Sequence, residues 1–254
     1  MKSVIRQRIE QQVGSIDSIR PVAEQGGTAI VYYVKTLDGT YILKQASLPR
    51  YREWLAQEAT VMQTFKSQQH ITIPTYIDYM KDEQQDYLLM SYIAGETLTT
   101  TLENASERQR LELIRGFGRF LRQLHTKEIS SAHSSQDWLD KQLLQADHYM
   151  KQGWTSGSSE LLHALSTKHP EPVPATWIHG DCTTDNLLVR DNAIVAFIDL
   201  AGMTVGDRRY DEALATRSFG TDIKMLDAFY SGYGFSPISE ETFRFFDDGL
   251  YEFY

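Results

Sequence analysis

Residues 177–199 constrain this chain more than any other stretch. Trp177-Ile178-His179-Gly180-Asp181-Cys182-Thr183-Thr184-Asp185-Asn186 runs into the apolar Leu187-Leu188-Val189 and turns at Arg190-Asp191-Asn192. Residues 193–198 then lead to Asp199. Two short strands thus carry three oxygen-bearing side chains, Asp181, Asn186 and Asp199, at offsets of five and thirteen. A carboxylate at a strand end can accept a proton from an attacking hydroxyl. An amide oxygen and a further carboxylate suit Mg2+, which prefers hard oxygen donors. One Asp in a loop is ordinarily a cap or turn former; three such residues in this order point to a reaction site.

The residues before this stretch read as strands with one helix. Residues 18–24 form a β-like run ending in Gln25-Gly26-Gly27-Thr28, and residues 29–34 are rich in β-branched and aromatic side chains. Asp38-Gly39 marks a hairpin turn before Tyr41-Ile42-Leu43-Lys44. Over residues 50–66 the period changes: Leu55, Ala59, Met62 and Phe65 predict an amphipathic helix. Residues 71–77 and 87–92 complete a five-stranded sheet, with Pro74 assigning the first of them to an edge or an irregular strand.

Ala94-Gly95-Glu96 reads as a hinge into a mainly helical second part. Leu113, Phe117, Leu121 and Leu124 line one face of a helix over residues 106–125, with Ser106 as its N-cap. Residues 138–150 read as a weaker helix and 151–159 as a loop. The tail from Asp211 reads as two or three helices broken near residues 232–237.

Glu58 lies three residues after Leu55 and four before Met62, on the apolar stripe of its helix. A carboxylate there needs a partner, because burying an unpaired charge is costly. Lys44, at the end of an apolar strand, is the natural one. Gln25-Gly26-Gly27-Thr28, between the first two strands, lies where a phosphate-covering loop belongs.

Charge is unevenly spread. Residues 1–90 hold ten basic and ten acidic side chains, so the whole formal surplus of −9 lies in residues 91–254. That sign opposes nonspecific binding to nucleic acid or to an anionic membrane. The single cysteine, Cys182, allows no internal disulfide, and no Cys–His dyad with its own orienting group supports a nucleophile. Residues 1–14 lack the apolar core of a secretory signal, and no run of about 20 apolar residues offers a membrane span. A cytoplasmic protein is expected.

On these residues the chain resembles the aminoglycoside phosphotransferase family of protein-kinase-like small-molecule kinases, and most of all its 3′-aminoglycoside branch. His-x-Asp, then Asn after four residues, then a following Asp is the spacing of kinase active sites. Likeness is strongest over residues 179–186 and from Phe197-Ile198-Asp199-Leu200 through residues 206–213. Leu88-Leu89-Met90-Ser91 resembles the family's hinge strand, Leu124-His125 the end of its long helix, and residues 245–254 its acidic–aromatic terminus.

The resemblance implies an α+β, protein-kinase-like two-lobe fold. Residues 1–92 would form a nucleotide-binding lobe, a five-stranded antiparallel sheet with one helix; residues 93–254 would form a mainly helical lobe with the catalytic loop and acceptor site. It implies a kinase moving the γ-phosphate of ATP or GTP to a hydroxyl of a cationic acceptor such as an aminoglycoside, with antibiotic resistance as the consequence. Asp181 would be the base; Asn186 and Asp199 would hold Mg2+; Lys44 with Glu58 would set the triphosphate. Gly26, Gly27 and Thr28 would cover the phosphates, Ile42 and Met90 would line the adenine slot, and backbone groups at Ser91 and Ile93 would bind its edge. Asp211 would brace the catalytic loop, with His179 packed beside it. Asp185, Asp248, Glu252 and the α-carboxylate of Tyr254 would receive the acceptor's ammonium groups. The partners implied are a nucleotide and a small acceptor, with no nucleic acid and no membrane, and the chain a monomer or weak dimer.

Some positions depart from the branch. Tyr251 replaces an acid beside Glu252, Gly202 an arginine and Ile42 an aromatic, and residues 151–160 are short of acids. Other readings are a metabolic kinase for an amino alcohol, sugar or nucleoside-like acceptor, or a catalytically silent nucleotide-binding module. A protein kinase fits less well, because Thr183 stands where a lysine is usual and the segment after Asp199 is short.

Overall fold

Ile5, Ile9 and Val13 recur every four residues, and that spacing gives the start of the chain a helix with one buried seam. The computed structural model describes residues 2–65, 71–129 and 134–254. Two units form, Met1–Ala94 with Ala196–Gly202, and Gly95–Val195 with Met203–Tyr254.

The first unit contains α1 (Ser3–Val13), β1 (Ile16–Pro21), β2 (Ile30–Thr36), β3 (Thr40–Ala46), α2 (Pro49–Phe65), β4 (Tyr76–Lys81) and β5 (Asp86–Ser91). Its five strands are antiparallel in the order β1-β2-β3-β5-β4. The seam of α1 packs with Val34, Leu43, Met80, Tyr87 and Leu89 in one core. Side chains alternate along a strand, so Ile42 and Lys44 lie on the face opposite Leu43. There Ile42 pairs with Met90, and Lys44 with Leu88.

Three features of this unit differ from the sequence expectation. Helix α1 is a second helix, on a stretch whose polar composition conceals its three-residue seam. The strand expected at residues 71–77 starts only at Tyr76, after Pro74, which has no N–H to give a ladder. It does lie at the sheet edge. Helix α2 begins with Pro49, whose missing N–H costs nothing at a first helical position. Of the helix expected over residues 50–66, Lys66 lies outside the described residues.

The second unit contains β6 (Glu96–Thr97), α3 (Leu98–Asn104), α4 (Glu107–His125), α5 (Ser135–Gln152), α6 (Ser159–Thr167), β7 (Thr176–Ile178), β8 (Leu187–Arg190) and β9 (Ala193–Phe197), whose last two residues belong to the first unit. Then follow β10 (Thr204–Gly206), α7 (Arg208–Thr216), α8 (Ile223–Tyr233) and α9 (Glu240–Arg244). Single helical turns cover Thr184–Asn186, Phe245–Gly249 and Leu250–Phe253. Strand β7 pairs with β10, and β6, β8 and β9 form a small sheet.

Ser106 and Gln109 cap α4 reciprocally, closing its first turn. The helix buries Leu113, Phe117, Leu121 and Leu124 and packs against α8 at two glycines. A Cβ on Gly118 would stand 2.2 Å from the Phe229 carbonyl oxygen, and one on Gly232 would stand 2.0 Å from that of Arg115. This approach lets Phe117 and Phe229 meet edge to face at 5.5 Å. Helix α5 is longer than expected, capped by Ser134 and ended by a left-handed Gly153. Helix α6, capped by Ser158, was not expected. The tail helices break at Gly234, within the expected 232–237. Among the described residues no helix is long and apolar enough to cross a membrane.

Candidate active site

Lys44, Glu58 and Asp199 come together in the first unit. The Lys44 ammonium lies 2.8 Å from both carboxylate oxygens of Glu58 and 3.2 Å from Asp199 Oδ1. Glu58 Oε1 also accepts the backbone N–H of Leu200 at 3.2 Å, which ties α2 to the residue after Asp199. Burial opposes the Lys44 charge, but Asp199 and Glu58 outweigh it and hold the ammonium above its ordinary range. Burial raises the Glu58 carboxyl, and the Lys44 charge works against that. Glu58 is almost fully buried, whereas the Asp199 side chain is 41% exposed, so Asp199 offers the accessible carboxylate. Its backbone stands at φ 59°, a left-handed conformation that Asp tolerates better than most residues.

The other residues expected to bind nucleotide belong to the same unit. Ile42 and Met90 are cross-strand partners on the Lys44 face. The N–H of Ser91 donates to the Thr75 carbonyl, and its hydroxyl accepts from Thr75 N. Ile93 is half-buried just past β5. Gly26 and Gly27 are exposed, with open space where a Cβ would stand. Gln25, unassigned from sequence, anchors their loop: its amide donates to the Val22 and Val31 carbonyls and accepts from Val31 N–H.

In the second unit the loop between β7 and β8 carries Asp181. Asp211, fully buried in the first turn of α7, accepts the N–H groups of His179 at 2.6 Å and Gly180 at 2.8 Å. It also meets His125 Nε2 at 3.0 Å, and His125 Nδ1 meets the Tyr233 hydroxyl at 2.6 Å. The loop is thus braced from α7, α4 and α8. His179 is buried, its Nδ1 accepting the Asp181 N–H at 3.3 Å. Cys182 is buried and its thiol is pushed up by burial, so it is inert as a thiolate.

Asn186 donates its amide N–H groups to the Asp181 carbonyl at 2.8 Å and to Asp181 Oδ2 at 2.7 Å. That use of the nitrogen leaves the Asn186 amide oxygen as a hard donor. This oxygen and the exposed Asp199 carboxylate are of the type Mg2+ takes, alongside phosphate and water oxygens. Among the described residues no group of three or more His, Cys, Asp or Glu is placed to hold a metal ion.

The proposed acceptor side chains vary in setting. Asp185, Asp248 and Glu252 are exposed. Asp247 is buried at 3.1 Å from Arg217, its carboxyl raised by burial, with the Arg217 charge acting against this and Asp248 and Glu252 adding to it. Tyr254 packs on Tyr149, and its hydroxyl donates to the Gln142 carbonyl. Sequence reasoning gave Tyr251 no role, yet its hydroxyl donates to Asp181 Oδ1 at 3.1 Å. Burial and then the Asp181 charge push that phenol up, so it remains a donor. Thr184, next to the Asn186 turn, is linked to Thr99 of α3 by a 2.7 Å hydroxyl contact, also unforeseen.

Residues 18–246 match the model of a family described as the phosphotransferase enzyme family. The chain is 28% identical over 159 residues to an aminoglycoside 3′-phosphotransferase of Escherichia coli, and the alignment covers 57% of each chain. It therefore spans less than two thirds of that relative's length. To an aminoglycoside 3′-phosphotransferase of Niallia circulans it is 24% identical over 230 residues, covering 85% of each. Its fold is similar to that of a crystal structure of an aminoglycoside-3′-phosphotransferase of type VIII, with a TM-score of 0.76 at 21% identity, over 98% of this chain and 97% of that one. The expected protein-kinase-like α+β fold is therefore the observed one.

Proposed function

The chain belongs to the phosphotransferase enzyme family, and on that premise we propose that it transfers the γ-phosphate of ATP to a hydroxyl of a small cationic acceptor, an aminoglycoside first among candidates. The observation that carries this reading is the buried ammonium of Lys44, held by Glu58 with both oxygens and facing the accessible carboxylate of Asp199. Glu58 fixes the Lys44 ammonium in place, so that this one positive charge can meet phosphate oxygens with little reorganisation during reaction.

Asp181 takes the proton of the acceptor hydroxyl as its oxygen attacks the γ-phosphorus. The bond from that phosphorus to the bridging oxygen breaks, and ADP carries away the electron pair. Lys44 steadies the phosphates, Glu58 holds Lys44, and the Gly26-Gly27-Thr28 loop covers the chain of phosphates. Ile42, Met90, Ser91 and Ile93 receive adenine. Asn186 and Asp199 are the proposed Mg2+ ligands; the ion, when bound, neutralises the charge on the transferring group. Asp211 and His179 keep the loop in shape.

A cationic acceptor is supported by the exposed acids Asp248 and Glu252 and by the negative surplus of residues 91–254, since a surface of one sign concentrates the opposite charge. Asp185 and the Tyr254 carboxylate are the further proposed contacts. The test is release of ADP or GDP by the full chain, with MgATP or MgGTP, against aminoglycosides, macrolides, amino alcohols, sugars and nucleosides. Turnover on amine-bearing acceptors is expected. Turnover confined to neutral sugars or nucleosides would replace the acceptor; tight MgATP binding without any turnover would favour the silent module.

A further inference from the structure

Both carboxylate oxygens of Asp181 accept a hydrogen bond from inside the second unit. Asn186 Nδ2 reaches Oδ2 at 2.7 Å, and the Tyr251 hydroxyl reaches Oδ1 at 3.1 Å from a position 70 residues away. The terminal rotation of an aspartate is broad and nearly two-fold, so one donor leaves its plane loose. Two donors from different elements define it.

Tyr251 is itself immobilised. It lies in the turn Leu250–Phe253, between Leu250 and Phe253, which are both fully buried. Phe253 packs so closely on Gly157 that a Cβ there would stand 2.4 Å from the ring. The Arg217 guanidinium covers the Tyr251 ring at 4.6 Å and is held by Asp247, while Tyr210 lies beside it at 6.5 Å. A cation over the ring draws electron density from the phenol and strengthens its O–H as a donor. A side chain pinned on this many sides is a fixed post, and an acceptor has no ready way to push it aside.

We infer that Tyr251 is a positioning residue for phosphoryl transfer: its hydroxyl, with Asn186, sets the plane of the Asp181 carboxylate that meets the acceptor hydroxyl. This rests on Asp181 being the base proposed above. The acceptor hydroxyl then meets a carboxylate already oriented, and the Tyr251 phenol stays in place through the reaction.

The test compares Tyr251→Phe, Asp181→Asn and the unmodified full chain in steady-state ADP release. MgATP is paired with the best acceptor of the panel above, or with water if none turns over. Tyr251→Phe keeps the ring and removes only the hydroxyl. Its kcat is expected to fall on the order of tenfold, as for a misoriented catalytic group, with KM for MgATP and acceptor within about twofold. A merely structural loss would lower the melting temperature and the active fraction, so kcat is referred to active sites counted by nucleotide binding. If Asp181→Asn is inactive while Tyr251→Phe keeps full kcat, the inference fails and the base assignment stands. A lower acceptor KM with raised kcat in Tyr251→Phe would also overturn it, in favour of an obstructing role. Near-normal turnover by Asp181→Asn, or no ADP release by the unmodified chain, removes the base assignment and this inference with it.

Discussion

His125 and Asp211 are joined by a 3.0 Å hydrogen bond from which solvent is wholly excluded. The imidazole's other nitrogen is held by Tyr233, so the three side chains form one buried series ending on the backbone of the loop that carries Asp181. Tyr233→Phe removes the far end and leaves a buried ring nitrogen without its partner. A loss of about 1–3 kcal/mol in stability is expected, measured by urea unfolding. An unfolding midpoint equal to that of the unmodified chain would show that the series carries no energy.

Asp181→Asn keeps the size of the side chain and replaces the proposed proton acceptor. A drop in kcat of at least about 100-fold is expected, with nucleotide affinity little changed. Steady-state kinetics together with a nucleotide titration separate the two quantities.

Asp199 offers the accessible carboxylate of its triad. In Asp199→Ala the rise in melting temperature that MgATP gives is expected to vanish, and chelating Mg2+ should have the same effect on the unmodified chain. A shift that survives in the variant removes Asp199 from the metal.

Gly118 leaves no room for a methyl group beside the Phe229 carbonyl. Gly118→Ala must push α4 and α8 apart, and overpacking of this kind costs about 1–3 kcal/mol or more. Chemical denaturation measures it directly; an unchanged midpoint would mean that the helices separate without cost.

Phe253 is a fully buried anchor, so an acceptor test at the C-terminus should spare it. Removing Tyr254 alone takes away its hydroxyl contact to Gln142 and leaves Phe253 in place. KM for an amine-bearing acceptor is expected to rise while KM for MgATP stays constant. Equal acceptor KM values would remove Tyr254 from the proposed acceptor contacts.

What could be read from the sequence follows from how each feature is encoded. Asp181 and Asn186 lie on one loop, so covalent spacing displays them together. Glu58 was conspicuous as an acid on an apolar stripe, and burial demanded the Lys44 partner that the structure provides. Tyr251 had no such signal, because its partner is 70 residues away and phenols are commonplace in aromatic tails. Helix α1 escaped because burying three residues on a sheet needs no strongly apolar sequence. Pro74 correctly marked an edge strand, yet it also delayed the strand's start to Tyr76, which periodicity alone does not specify.

Residues 196–202 complete the first unit although about a hundred residues of the second intervene after Ala94. On the ribosome, residues 1–94 emerge first with Lys44 and Glu58 in hand but without Asp199 or the Leu200 N–H that Glu58 accepts. A truncated N-terminal fragment therefore exposes a half-satisfied ion pair, and only synthesis past residue 202 can finish it. The ion triad of the first unit is therefore completed late in translation, and any chain cut short before residue 199 lacks both Asp199 and the Leu200 N–H.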